Sequence, residues 1–137
     1  MKKITPLIVV MLSGCAAGIN SAQRQELQSF KAKGYYVEEK NEGAAAGFGI
    51  LPGGGSFYTR NYGIGVVNLL FWPASILWDP ISGLAGAESL NYYATKANIE
   101  NLKRKEMRNL EDQVALGQVD TPKYIVLKNE IERKYEP

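Results

Sequence analysis

Residues 43–87 have the sequence GAAAGFGILPGGGSFYTRNYGIGVVNLLFWPASILWDPISGLAGA, in which only Arg60 and Asp79 carry a charge. Two apolar stretches, 43–51 and 63–76, flank a segment rich in glycine. Small residues in the first stretch allow a second helix to approach closely. The pattern therefore predicts an apolar helical hairpin over 43–87. Its turn is expected to contain six residues: Gly53, Gly54, Gly55, Phe57, Tyr58 and Arg60.

The length of the two stretches leaves two interpretations of this hairpin open. A helix that crosses a bilayer needs about 20 mainly apolar residues, and both stretches are shorter. The hairpin is then either inserted in a membrane, fully or as a re-entrant segment, or soluble, with its apolar faces buried against each other or against a second copy. Trp72 and Trp78 suit a membrane interface. We favour the membrane-associated hairpin, because a chain this short has little other surface with which to cover it.

The turn residues also resemble a known family. The run Gly53 to Arg60, followed by Gly63 and an apolar stretch, is similar to the two-transmembrane-segment domain family. That family pairs two hydrophobic helices around a short turn with a glycine, Phe-Tyr and a basic residue. The resemblance covers 43–87 and implies two membrane crossings, although the first helix is short here and Pro73 interrupts the second.

The chain begins with a basic and then apolar segment that ends at its only cysteine, Cys15. Lys2 and Lys3 precede an apolar run over 4–12 that has the length of a secretory signal. Two alternatives are a plain secretory signal with a chance cysteine and an ordinary buried N-terminal segment. The last four residues of the segment are Leu12, Ser13, Gly14 and Cys15.

This segment resembles the signal peptide and lipobox of a bacterial lipoprotein. The resemblance implies that residues 1–14 are removed and that Cys15 carries acyl chains on its sulfur and its new amino group. Each buried methylene of such a chain contributes about 0.8 kcal/mol to membrane binding. Ala16 follows the cysteine, and by enterobacterial sorting rules this implies an outer-membrane location facing the periplasm. The inner membrane is the alternative.

Residues 15–42 are predicted to form the lipidated N-terminus and a polar linker. A short helix is expected over 22–33, with Ser21 as its N-cap and Gly34 just past its end. Because its apolar content is thin, we expect this region to be a spacer that lifts the body off the membrane or leads back to it.

Residues 88–137 are predicted to be a helical C-terminal region. Apolar spacing predicts a long amphipathic helix over 88–116, a stop at Gly117, and a short returning helix with Thr121 as its N-cap and Pro122 at its first position. The residues expected to serve as interaction helices are Leu110, Val114, Tyr124, Leu127 and Ile131. The segment 110–135 resembles the short C-terminal domain that bacteria append to many envelope proteins, which implies a role in oligomerisation.

The composition argues against several classes of chemistry. The chain has no histidine, the commonest general base and metal ligand. Removal of Lys2 and Lys3 lowers the basic count from 16 to 14 against 14 acidic residues, so no basic surplus indicates nucleic acid. Ser56 has no histidine to activate it, and nothing fixes the separation of Asp79 and Glu88. We predict no catalytic residue, no metal site and no cofactor other than the acyl chains on Cys15.

Taken together, these features predict a mainly α protein in which an apolar hairpin precedes a long amphipathic helix and a short returning helix. The predicted function is that of a membrane-anchored envelope lipoprotein with a structural or interaction role. Its expected partners are the lipid bilayer and, through the C-terminal helices, a second copy or an envelope protein. The whole chain resembles small lipoproteins of gammaproteobacteria or their prophages. The alternative function is therefore a phage-encoded lipoprotein that modifies the host envelope, for example in superinfection exclusion.

Overall fold

The computed structural model describes residues 18–137, and 73% of them lie in helices, with no strand in this range. The prediction of a mainly α fold is confirmed. The predicted signal peptide, lipobox and Cys15 lie outside the described residues. The helices are α1 (Ser21–Ala32), α2 (Glu42–Phe48), α3 (Gly54–Tyr58), α4 (Tyr62–Leu70), a 3-10 helix (Ala74–Leu77), α5 (Asp79–Ala115) and α6 (Thr121–Lys134).

The long helix and the short returning helix are both present, as α5 and α6. Helix α5 begins at Asp79, nine residues earlier than predicted. Pro80 permits this start, because a proline in the first turn lacks only an N–H that would have no partner within the helix. Gly117, with a φ of 69°, follows the end of α5. The N-cap of α6 is Asp120 and not the predicted Thr121, since the side chain of Asp120 accepts a hydrogen bond from the backbone N–H of Lys123 at 3.0 Å.

Residues 43–87 form several short elements where two apolar helices were predicted. They contain α3, α4, the 3-10 helix, most of α2 and the first turns of α5. The predicted turn forms α3, which starts after Gly53 in the left-handed region at a φ of 69°. The apolar hairpin is therefore not confirmed. In residues 18–137, every helix is too short or too polar to cross a membrane.

Residues 18–42 pack along α5. The buried residues of helix α1 are Leu27 and Phe30. Leu27 packs with Ile19 and with Tyr92 of α5. Phe30 forms a second cluster with Ile99 of α5 and Tyr135, which follows α6. The apolar core thus lies between α1, α5 and the end of α6.

Two buried side chains of α5 hold the extended segment that follows α1. Thr95 Oγ1 accepts a hydrogen bond from the backbone N–H of Val37 at 3.0 Å. Asn91 Oδ1 accepts one from the N–H of Lys40, and Asn91 Nδ2 donates to the carbonyl of Lys40, both at 2.8 Å. Asn91 and Thr95 lie one helical turn apart and therefore on the same face of α5. Their side chains satisfy backbone hydrogen-bonding groups of the extended segment, as a neighbouring strand would do in a sheet.

Candidate functional site

Helices α2, α3 and α5 meet through small residues. An added Cβ at Gly83 of α5 would lie 2.6 Å from the carbonyl oxygen of Ala45 in α2 and 3.1 Å from the Cα of Gly55 in α3. A Cβ at Gly55 would lie 2.9 Å from the carbonyl oxygen of Asp79. The three backbones therefore touch one another directly. This contact brings the start of α5 against α3.

A buried polar cluster lies at this contact, and its centre is the carboxylate of Asp79, which has no exposed surface. Oδ1 of Asp79 accepts hydrogen bonds from the hydroxyl of Ser56 at 2.5 Å and from Nδ2 of Asn68 at 2.6 Å. The backbone N–H groups of Gly55 and Ser56 donate to the same carboxylate at 3.2 Å. Asp79 thereby joins α3, α4 and α5.

Asn68 extends the cluster to a tryptophan. Its Oδ1 accepts a hydrogen bond from the indole Nε1–H of Trp78 at 2.7 Å. Asn68 and Ser56 are each only 1% exposed. Because the serine hydroxyl and the carboxylate are closed off from solvent, a substrate has no access to them. The cluster fixes the geometry of three helices, as buried polar networks do when their members are satisfied.

The two carboxylates that the sequence offered as a pair lie in different surroundings. Asp79 belongs to the buried cluster, whereas Glu88 accepts two hydrogen bonds of 2.7 Å from the guanidinium of Arg24. The hydrogen bonds from Arg24 lower the pKa of Glu88 below its ordinary value. Nine residues of the same helix separate the two carboxylates, a rise of about 13 Å, so they do not form a catalytic pair.

The outer side of the same region exposes a group of large apolar side chains. Leu70 is 75% exposed, Leu77 80% and Ile81 68%. Gly49 contacts Pro80 closely, which places the residues after α2 beside the start of α5. We call this group the apolar surface, and its members are Ile50, Leu51, Leu69, Leu70, Phe71, Trp72, Leu77, Trp78, Ile81 and Leu84.

The burial pattern in this part of the molecule is inverted. Six polar side chains among residues 18–137 are at most 1% exposed, whereas the large apolar side chains Leu27 and Phe30 of the core are 2% exposed; the six are Asn68, Asn91, Thr95, Asp79, Ser56 and Ser75. In soluble proteins the largest buried side chains are mostly apolar, so a buried polar group or a large exposed apolar patch is the informative observation. Both occur here within the same thirty residues. Four of the six buried residues lie between positions 56 and 79, beside most of the apolar surface.

The first residues that the structure describes, Gly18 and Ile19, lie next to the apolar surface. An added Cβ at Gly18 would lie 3.1 Å from the Cβ of Ala85. Ala85 is one helical turn beyond Ile81, on the same side of α5. Ile19, the next residue, is buried. The first described residues are therefore held against α5 close to its exposed apolar side chains.

A second surface feature lies between α5 and α6. Leu110 is buried, whereas Leu127 and Ile131 of α6 are half-buried and line a groove together with Leu110. At one end of the groove the carboxylate of Glu106 accepts a hydrogen bond from Lys134 Nζ at 2.5 Å. That bond lowers the pKa of Glu106 below its ordinary value.

The residues predicted for the interaction helices thus have different environments. Leu110 contributes to the core, Tyr124 is half-buried with Leu127 and Ile131, and Val114 is 38% exposed. Their role in binding stays a prediction.

The predicted turn residues lie in and around α3. Gly55 is buried, and the ring of Phe57 fills the space beside Gly65 of α4. Tyr58 stacks on Phe48 with ring centroids 5.2 Å apart. Arg60, in the left-handed region at a φ of 62°, forms an ion pair with Glu39 at 2.7 Å.

Sequence reasoning missed the buried cluster. The pattern of residues predicts no role for Asp79 or Asn68. One signal was available, because Asn68 is the only polar side chain in the run Ile64 to Trp72. A polar side chain inside an apolar stretch is retained where it finds a buried partner.

No protein-family model matches this chain, and no match was found among curated proteins or among solved structures. The resemblances to the two-transmembrane-segment domain family, to the short C-terminal domain and to bacterial lipoproteins therefore stay predictions.

Proposed function

We propose that this protein is a bacterial envelope lipoprotein, held at the outer membrane by acyl chains on Cys15, with a structural or interaction role. The lipobox Leu12 to Cys15 supports the anchor. In this proposal residues 43–87 are the membrane-associated part of the protein. Helices α5 and α6 face the periplasm.

The observation that carries the proposal is the short distance in sequence between Cys15 and the packed body. Gly18 contacts Ala85, and three residues span at most about 11 Å when fully extended. Acyl chains on Cys15 would therefore hold α5 near Ala85 within about 11 Å of the lipid. Because Ile19 is already buried, little free chain remains between the anchor and the body.

The buried cluster supports a role other than catalysis. The hydroxyl of Ser56 donates to Asp79 inside the protein, and both residues have almost no exposed surface. A nucleophile must reach its substrate, and the burial of Ser56 prevents this. The cluster offers structural support for three helices and no opening for a reactant.

The groove between α5 and α6 is the part of the proposal that concerns a protein partner. It has apolar side chains at its centre, Leu127 and Ile131, and charged side chains at its rim, Glu130 and Lys134. An apolar centre with a polar rim is the usual composition of a protein interface. We propose that a second copy or another envelope protein binds there.

Metabolic labelling with palmitate tests the anchor. We expect label in the wild-type protein and none in Cys15→Ser, with the labelled protein in the outer-membrane fraction after density separation. Wild-type protein that carries no label and stays in the soluble fraction would refute the proposal. Labelled protein in the inner-membrane fraction would refute only the choice of membrane.

Crosslinking in cells tests the interaction role. Leu127→Glu places a charge in the groove and should abolish the crosslinked species that the wild-type protein forms. Val126→Glu, on the neighbouring and 55% exposed position of α6, is the matched control and should leave the species unchanged. Identical crosslinks in both variants would exclude the groove as the binding surface.

A further inference from the structure

We infer that the apolar surface inserts into the lipid leaflet that holds Cys15, so that the body lies against the bilayer with the segment between α4 and α5 in the headgroup and upper acyl region. This inference rests on the proposed lipid anchor and adds to it a second, non-covalent contact with a defined orientation. The occupant of the surface is lipid.

The inverted burial pattern is the first argument. The segment from α4 to the start of α5 turns Asn68, Ser75 and Asp79 inward, while Leu70 and Leu77 point outward with 75% and 80% of their surface exposed. In water, the arrangement of lower free energy is the opposite one, with apolar side chains inside and polar side chains outside. In contact with lipid the arrangement is favourable, because Asn68 and Asp79 bind each other inside the protein and the apolar side chains contact acyl chains.

The charges around the surface support lipid as its partner. Residues 43–87 contain two charged side chains. Asp79 is fully buried in hydrogen bonds, and Arg60 is paired with Glu39. Asp79 is therefore closed off from lipid when the apolar surface inserts, whereas the Arg60 side chain, which is 57% exposed, stays on the water side of the interface.

The aromatic residues fit the depth of an interface. Trp72 is half-exposed beside Phe71, and Trp78 is 40% exposed while its indole N–H is bound to Asn68. Tryptophan is enriched where acyl chains meet headgroups. Helix α4 has nine residues, a length of about 13 Å, so it can enter one leaflet and cannot cross a hydrocarbon core of about 30 Å.

The position of the anchor selects lipid over a second copy of the chain. Ile81 and Ala85 are one turn apart on α5, and Gly18 contacts Ala85. Acyl chains on Cys15, three residues before Gly18, enter the bilayer within about 11 Å of this point. A surface so close to the anchor lies beside lipid whenever the protein is acylated.

The tryptophans make the inference directly measurable. Trp72 and Trp78 are the only two in the chain, and both lie at the apolar surface. Purified acylated protein is reconstituted into vesicles of phosphatidylethanolamine and phosphatidylglycerol whose acyl chains carry bromine. We expect the brominated lipid to quench the intrinsic fluorescence strongly and aqueous iodide to quench it weakly.

Two variants and a control assign the effect to the surface. Leu77→Glu and Leu70→Glu should each lose most of the quenching by lipid and gain quenching by iodide, because a carboxylate resists transfer into the acyl region. Leu116→Glu, at a 71% exposed position beyond the end of α5, should behave as the wild type. All positions are highly exposed, and unchanged far-UV circular dichroism verifies that the variants fold.

The outcomes separate this inference from the proposed function. Acylated, vesicle-bound protein whose tryptophans are quenched by iodide and not by lipid would overturn the inference, and with it the membrane association proposed for residues 43–87, and would leave the acyl anchor intact. Crosslinked dimers that disappear in Leu77→Glu, together with an absence of quenching by lipid, would show that a second copy covers the surface and would also overturn it. Failure of the anchor itself is recognised separately, by the absence of palmitate label.

Discussion

Gly83→Ala is the substitution that most directly tests the close packing of α2, α3 and α5. The new Cβ would lie 2.6 Å from the carbonyl oxygen of Ala45, whereas ordinary contact begins near 3.4 Å. The two atoms must therefore move apart by about 0.8 Å, the difference of these distances. Both belong to regular helices and the obstacle is backbone, so rotation of a side chain cannot relieve the overlap.

The expected cost combines two opposing effects. Overpacking of this kind costs about 3 kcal/mol, at the upper end of the usual range, because backbone must shift. Replacing a glycine with alanine inside a helix stabilises the helix by about 1 kcal/mol. We therefore expect the free energy of unfolding to fall by about 2 kcal/mol. Separation of α5 from α3 should also weaken the hydrogen bonds of Asp79.

Gly47→Ala is the matched control, since Gly47 is an exposed residue of α2 and an added Cβ would meet no atom within 4 Å. It should stabilise the protein by up to about 1 kcal/mol. Urea unfolding of the full chain, followed by far-UV circular dichroism in one background for all variants, gives both values. If Gly83→Ala proves as stable as Gly47→Ala, the three backbones do not touch as described.

Two further predictions concern hydrogen bonds at and near the site. Asn68→Ala removes a donor to Asp79 and leaves the indole N–H of Trp78 without its partner. The free energy of unfolding should therefore fall by about 2–3 kcal/mol. An unchanged midpoint of urea unfolding would contradict the hydrogen bonds of the cluster. Hydrogen bonds from Arg24 lower the pKa of Glu88 below its ordinary 4.5, so this pair stabilises the fold above pH 4.5 and loses that contribution as the pH falls through the lowered pKa. Arg24→Gln should accordingly flatten the fall of unfolding free energy below pH 4.5, as measured by urea unfolding across a pH series; a slope equal to that of the wild type would argue against the pair.

The elements that sequence predicted well are those with local signals. Helix α1 follows its predicted bounds within one residue, although Asn20 and not Ser21 is its N-cap, and Gly34 lies just past its end at a φ of 77°. Gly117 ends α5 and Pro122 lies in the first turn of α6. Capping residues, glycine and proline act over three or four positions, so the chain shows them directly.

The start of α5 and the arrangement of 43–87 depend on distant partners. Asp79 is bound by side chains 23 and 11 positions earlier in the chain, Ser56 and Asn68. Glycine-rich and apolar residues carry little helical periodicity, and their spacing does not reveal which backbones touch. The contact of Gly83 with Ala45 was therefore beyond what the pattern could predict, although the abundance of small residues correctly indicated close approach.

The length of α5 limits how far the protein extends from the end that we propose to contact lipid. Leu110, at the groove, lies 31 residues beyond Asp79 in one continuous helix, which corresponds to about 46 Å. Under the proposed orientation, a partner bound in the groove is held at a fixed standoff that cannot exceed this length. The length of the helix thereby sets the largest distance between the partner and the bilayer, and each added turn would increase this distance by at most about 5 Å.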